Sequence, residues 1–465
     1  MKSISSDKTA LHAYEPIGIG EIASYSLGDA GFNLYWAPLS AFLMIYLSDV
    51  VGLSLISIST LLITMRLIGA FADPVFGAIA DRTHTAYGRY RPWFLWLCLP
   101  LAASAIMFFS ITNAPADARL FGAYVGLILM NLIYTAANTA YNALSGVITP
   151  DSSQRELIMS SRFGAAFLSA VFITWVTPKL IAFAGRGDTA LGWQFVMTIY
   201  GLIAVVILVN LFLQTRERFA LTSQPNSNPL RDIADLFKNR PWVILFSLAC
   251  VVMAASMLRT SVSPYFMKTY AGRPDLIVSF LMTFTLGLAV GSVSVVFLTR
   301  LLSRPASIAL MLGVIALSGL GLYLCGPHQI FLMFALQAIS GIAFGFIGTL
   351  TFAMYADTAD FNAWKTGHRA TAMTYSMIMF SKKIGAAGAA AFIGGAMASY
   401  VANVPAPPAI IDNIRLLMGL APAILALSGI GIIALYDLTP EKVIKLQAQL
   451  LSGFGPKPAE PNPLP

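Results

Sequence analysis

The feature that most constrains this chain is a succession of long, nearly uncharged apolar segments. They run over 22–48, 54–80, 92–112, 119–148, 156–184, 192–214, 242–269, 276–301, 305–326, 329–356, 370–400 and 411–436. About 20 apolar residues in a helix cross roughly 30 Å of hydrocarbon. About twelve membrane-spanning helices are therefore predicted, several long enough to tilt or to extend beyond the bilayer. Composition agrees, with 57% hydrophobic and 11% charged residues, against roughly a quarter charged in a soluble domain. The N-terminal stretch MKSISSDKTALHAYEP lacks the basic-then-apolar layout of a cleavable signal, so the first span is expected to be retained.

The longest polar connection, RERFALTSQPNSNPLRDIADLFKNRP at 216–241, divides the spans into two sets of six. The expected architecture is an all-α membrane protein of two pseudo-symmetric six-helix bundles, 1–215 and 242–437. A tail at 438–465 starts amphipathic (EKVIKLQAQLL) and ends too rich in proline to pack. Lys and Arg cluster in the loops on one side, which predicts a plasma (inner) membrane protein with both termini cytoplasmic. Those loop positions account for the net charge of +8 without a nucleic-acid partner. Cys98, Cys250 and Cys325 form no CxxC pair, and the four histidines fall in tails or loops, so no metal site is expected. HExxH, GxSxG and GxxxxGK[ST] are absent, which points away from an enzyme and from a bound cofactor. The GxxxG spacings Gly287/Gly291 and Gly341/Gly345 read as helix-packing contacts. Two six-span halves around a mid-membrane site are the layout of many secondary transporters.

A charged side chain at mid-span costs at least about 2.5–3.5 kcal/mol and marks a cavity or a partner. Such residues here are Glu21 and Asp29 in the first span, Arg66 and Asp73 in the second, Arg162 in the fifth, Arg259 in the seventh, and Lys382 and Lys383 in the eleventh. Asp29 and Asn33 are four apart, as are Asn138 and Asn142, so each pair shares a helix face. Pro74 follows Asp73 and removes a backbone hydrogen bond, an invitation to a kink. Asp73 reads as the coupling carboxylate, with Arg66 as its charge partner. Adjacent lysines diverge by about 100° on a helix, so one of the two is expected to face the cavity. The run GAIADRTHTAYGRYR between the second and third spans supplies Asp81, Arg82, Arg89 and Arg91, a cytoplasmic gate and topology anchor in one.

The arrangement DP-x-x-G-x-x-x-DRT…GRYRP at 73–92 resembles the second-to-third helix segment of the major facilitator superfamily. More narrowly it resembles the glycoside–pentoside–hexuronide:cation symporters, the group of the melibiose carrier. Further blocks agree in order: YSLGDAGFN (25–33), YLSDVVGLS (46–54), YTAANTAYNAL (134–144), RELIMSSR (155–162), YADTADFNAWKTGHR (355–369) and SKKIG (381–385). The resemblance implies two bundles that rock about a central sugar site, with uptake driven by a cation gradient and one chain sufficient for function. It places Asp73, Thr135, Asn138 and Lys383 near the coupling cation, and Asp29, Asn33, Asn138, Asn142, Arg162 and Lys383 at the substrate. The chain also departs from the family pattern. Gly69 stands where the melibiose carrier has a second aspartate one turn before Asp73, and Asn138 and Asn33 stand at two acidic sugar-site positions. Fewer acidic oxygens favour H+ over Na+ as the coupling ion. They also leave a more positive cavity suited to an acidic sugar, with Arg162 or Lys383 as the expected anion ligand. A carrier of a lysolipid or other amphiphile, or a drug/proton exporter, is the alternative on the same scaffold.

Overall fold

The computed structural model describes residues 17–149, 151–218, 229–366, 370–397 and 407–452. Helices follow the apolar segments to within a few residues. The first half holds α1 (Ile19–Ile45), α2 (Leu55–Arg82), α3 (Arg91–Phe109), α4 (Arg119–Ile148), α5 (Ser152–Gly185) and α6 (Thr189–Gln214). A short helix, α7 (Pro229–Phe237), lies in the connection. The second half holds α8 (Arg240–Tyr265), α9 (Ile277–Leu298), α10 (Arg304–Leu324), α11 (Ile330–Thr366) and α12 (Thr371–Ala396). Its last span starts as α13 (Pro408–Arg415) and passes through a π-helical turn, Leu416–Leu420, into α14 (Ala421–Ala434). The tail carries α15 (Pro440–Ser452).

Among the described residues ten spans are long and apolar enough to cross a membrane. The polar-bearing α1 and α2, of 27 and 28 residues, complete the set of twelve. Side chains that accept from otherwise unpaired N–H groups mark several helix starts: Ser54, Asp151, Asp188 and Asn239. Pro74 sits inside α2, which continues through it to Arg82. The helix α11 runs ten residues beyond the apolar segment that predicted it, because the aspartates past residue 356 find buried partners.

Packing repeats between the halves. In the first, α1 lies against α5 and α6, α3 against α4 and α6, and α2 against α4. In the second, α8 lies against α12 and α14, α10 against α11 and α14, and α9 against α11. The halves meet where α5 packs on α9 and α2 on α12, each the pseudo-twofold image of the other. The α9–α11 contact is close backbone packing: a Cβ on Gly291 would lie 1.9 Å from the Ile342 carbonyl oxygen, and one on Gly345 2.1 Å from that of Leu288. The two GxxxG spacings thus serve helix contact, where small residues let backbones approach.

Candidate functional site

Arg162 lies three turns into α5 and is 3% exposed in the centre of the first bundle. Its Nε donates to Asp29 Oδ2 at 2.6 Å and its Nη2 to Asp29 Oδ1 at 3.3 Å, a two-pronged pair between α5 and α1. Nη2 also donates to Asn142 Oδ1 at 2.7 Å, and Nη1 to the Tyr25 hydroxyl at 3.4 Å. Asn142 in turn donates to Asn138 Oδ1 at 2.9 Å. The guanidinium carbon stands 4.3 Å from the Tyr141 ring centroid and 5.0 Å from that of Phe352 on α11. Tyr25 and Tyr141 stack at 4.6 Å and each donates its hydroxyl to the other's backbone carbonyl, which ties α1 to α4. Asp29, Asn138, Asn142 and Arg162 were all read from the sequence as substrate ligands. They do converge, and their first partners are one another. Asn33 stands apart from them, donating to the Ala166 carbonyl at 2.8 Å and to Ser169 Oγ at 3.1 Å on α5.

The second cluster bridges the halves. The Lys383 ammonium on α12 lies 2.6 Å from Asp73 Oδ2 on α2 and donates to the Gly69 carbonyl at 2.7 Å. Among the described residues the charge partner of Asp73 is Lys383. The side chain of Arg66, the partner expected from sequence, lies outside the described residues. Helix spacing put Arg66 and Asp73 on one face but could not show which distant helix faces them. At Gly69 an added Cβ would stand 3.0 Å from Asn131 Nδ2 and 3.6 Å from Lys383 Nζ. An amide and an ammonium thus surround the position where the melibiose-carrier pattern has its second carboxylate. Asn138, assigned to both cation and substrate, bonds within the Arg162 network. Thr135 is buried on α4, with no hydrogen bond to either cluster among the described residues.

A chamber of about 220 Å³ opens between α5, α8, α11 and α12. Phe163, Phe167, Phe344 and Tyr355 form its apolar walls, with Ser256, Thr349 and Thr351 as hydroxyls and Lys382 as its cation. Of the adjacent lysines, Lys383 turns to α2 and Lys382 turns to the chamber. Arg259 joins neither cluster: it is fully buried on α8, and among the described residues none of its three guanidinium nitrogens has a hydrogen-bond partner.

The halves are closed against each other at the end where α2 turns into α3. Asp81 accepts from the backbone N–H groups of Ala372 (2.9 Å) and Met373 (2.8 Å), so a first-half carboxylate caps a second-half helix. Tyr90 donates to the same carboxylate at 2.6 Å. Arg82 reaches Asp232 on α7 at 2.8 Å. Arg89 and Arg91 also reach the connection between the halves and the end of α6. The backbone N–H groups of Arg89 and Arg91 donate to Glu217, and the Arg91 side chain donates to the Phe212 carbonyl at 2.6 Å. The ion pairs that cross between halves are others. Arg155 on α5 pairs with Asp357 (3.1 Å) and Asp360 (2.9 Å) on α11. Arg304 on α10 crosses to Glu156 on α5 and, within the second half, pairs with Asp357 at 2.7 Å. Sequence reading missed this lock, although Arg155, Glu156, Asp357 and Asp360 lie in the RELIMSSR and YADTADFNAW blocks. Charges at helix ends are common, and only the i,i+3 spacing of Asp357 and Asp360 hinted at a shared face. Gln447 on α15 adds a hydrogen bond to Asp360 at 3.1 Å.

Comparison with known proteins agrees with this geometry. The family described as "MFS/sugar transport protein" matches residues 24–440. The inner membrane symporter YicJ of Escherichia coli (strain K12) is 27% identical over 94% of this chain and 96% of its own. An isoprimeverose transporter of Lactiplantibacillus pentosus is 28% identical over 95% and 92%. A glucuronide carrier protein homolog of E. coli K12 is 27% identical over 92% and 94%. Among solved structures, the major facilitator transporter FucP in its outward conformation superposes with a TM-score of 0.62 at 14% identity, over 88% of this chain and 97% of FucP. A bacterial homologue of ferroportin superposes with a TM-score of 0.66 at 11% identity, over 90% and 99%. These two likenesses concern the fold.

Proposed function

Because the chain belongs to the major facilitator family of sugar transport proteins, we propose that it is a sugar or glycoside symporter driven by the proton gradient through alternating access. The observation that carries this reading is the Asp73–Lys383 pair. An intramembrane carboxylate on one bundle is held by an ammonium on the other. While Asp73 is ionised, the pair ties α2 to α12. A proton on Asp73 removes the attraction and lets the bundles rock; a proton lost to the other side restores it. The donor set favours H+ over Na+. A hard cation wants several oxygen ligands, and here the Asp73 carboxylate is paired with the Lys383 ammonium, while the Gly69 position beside it faces that ammonium and the Asn131 amide rather than carrying a second acid.

The basic loops support a cytoplasmic placement for the end closed by Arg155, Arg304, Asp357 and Asp360. The state described then opens away from the cytoplasm, with both termini inside the cell. One chain supplies the whole pathway and works as a monomer. Aromatic walls and hydroxyls in the chamber suit the apolar face and hydroxyl rim of a sugar. The test is proton movement in proteoliposomes on adding a panel of sugars, with and without sodium. Sodium-independent external alkalinisation is the expected result, and Asp73→Asn is expected to abolish accumulation while leaving substrate exchange. Sodium-dependent uptake would overturn the ion assignment. Silence to every sugar with response to a lysolipid would overturn the cargo.

A further inference from the structure

The polar groups in the interior are not evenly balanced. Asp29 is paired with Arg162 and Asp73 with Lys383. The chamber's own cation, Lys382, has no carboxylate within ion-pair distance among the described residues; its ammonium rests 5.2 Å from the Phe352 ring centroid and 6.0 Å from that of Tyr355. Such contacts return only part of what an ammonium loses on leaving water. Arg162 lies 5.0 Å from the same Phe352 ring, but its charge is already met by Asp29, so Lys382 is the cation of the chamber left without a counter-ion among the described residues. As bundle closure removes water from the chamber, the cost of this uncompensated ammonium rises. A ligand that brings a negative charge offsets it.

Resting on the sugar-carrier reading above, we propose that Lys382 is the specificity-determining residue of the chamber and that the preferred cargo is a monosaccharide-sized sugar bearing an acid group, its oxyanion bound by the Lys382 ammonium. Arg162 and Lys383, the ligands expected from sequence, are already held by Asp29 and Asp73. The chamber's volume of about 220 Å³ falls below the roughly 300–1,000 Å³ of drug-sized sites, which favours a single ring. Phe163 and Phe167 offer a face for the ring, and Thr349, Thr351 and Ser256 offer hydroxyls to its rim.

The test compares probes that differ at one group: methyl glucuronide against methyl glucoside and the corresponding glucuronamide, with their galacto stereoisomers. Binding to the purified full chain is read by calorimetry without any ion gradient. The wild-type protein is expected to bind an acidic probe at least about tenfold more tightly than its neutral partners, since hydrogen bonds to charged groups contribute about 1.5–3 kcal/mol. Lys382→Gln is expected to remove that preference, bringing the acidic probe to the affinity of the neutral ones, and Lys382→Arg to restore it. An acid preference that survives Lys382→Gln would overturn the assignment, as would tighter binding of the neutral probes by the wild type. Neutral-sugar binding alone sinks this inference and leaves the sugar-carrier reading standing. Acid-sugar binding here, with no proton movement for that sugar in the proteoliposomes, leaves this inference standing and overturns the ion assignment, and binding of no sugar removes both.

Discussion

Asp29 and Arg162 form a nearly dry pair with two parallel contacts, 9% and 3% exposed. Removing one partner strands the other in a site of low polarity, a cost of about 3–5 kcal/mol. Arg162→Gln is therefore expected to lower the Tm of the purified protein markedly. Asp29→Asn combined with it should lose less than the two single losses summed. Additive losses in a thermal double-mutant cycle would show that the two side chains do not act as a pair. Both residues were legible in the sequence because charge in an apolar segment is conspicuous. Their pairing was not, since 133 positions separate them. Lys382 and Lys383 make the same point over one residue. Helix geometry sets them about 100° apart, but only the packing of α12 against α2 and α8 decides which side chain meets Asp73 and which meets the chamber.

At the scale of elements, the apolar runs gave twelve helices with ends displaced by a few residues. The largest shift is at α11, whose polar last turns stay helical because Arg155 and Arg304 neutralise Asp357 and Asp360. The contact of α9 with α11 was also legible, as glycines four apart on both helices. Gly345→Val is expected to drive the Leu288 backbone away from α11, since neither backbone can yield as a flexible side chain would. Overpacking usually costs about 1–3 kcal/mol, and a backbone clash stands at the upper end or above. A sharp drop in monodisperse protein on size-exclusion chromatography is the expected readout; unchanged yield and Tm would show that the helices part without penalty. The tail helix α15, read as an amphipathic stretch, buries Val443 and Gln447, and Gln447 bonds to Asp360 of the lock.

For the whole molecule, one end is held shut by Asp357 between two arginines and by Asp81 on the start of α12. Asp357→Asn weakens both pairs at once. A loss of about 3 kcal/mol changes a two-state ratio by roughly a hundredfold, so the population open at this end should rise strongly. Spin labels at Ala86 and Lys365, exposed on opposite halves, are expected to report a longer distance in the variant. An unchanged distribution would mean that the lock does not set the balance between states. The sequence by itself determined the spans, the two-bundle plan and the short roster of interior polar residues. Each of these is a local property: a helix satisfies its own backbone, and apolar length alone decides whether it crosses the bilayer. The resemblance already put Lys383 near Asp73; the folded arrangement of helices was needed to show that Asp29 claims Arg162, that Lys382 faces the chamber and that the lock is built on Arg155 and Arg304. Those pairings depend on how helices far apart in the chain rotate and cross, which no spacing along one helix encodes.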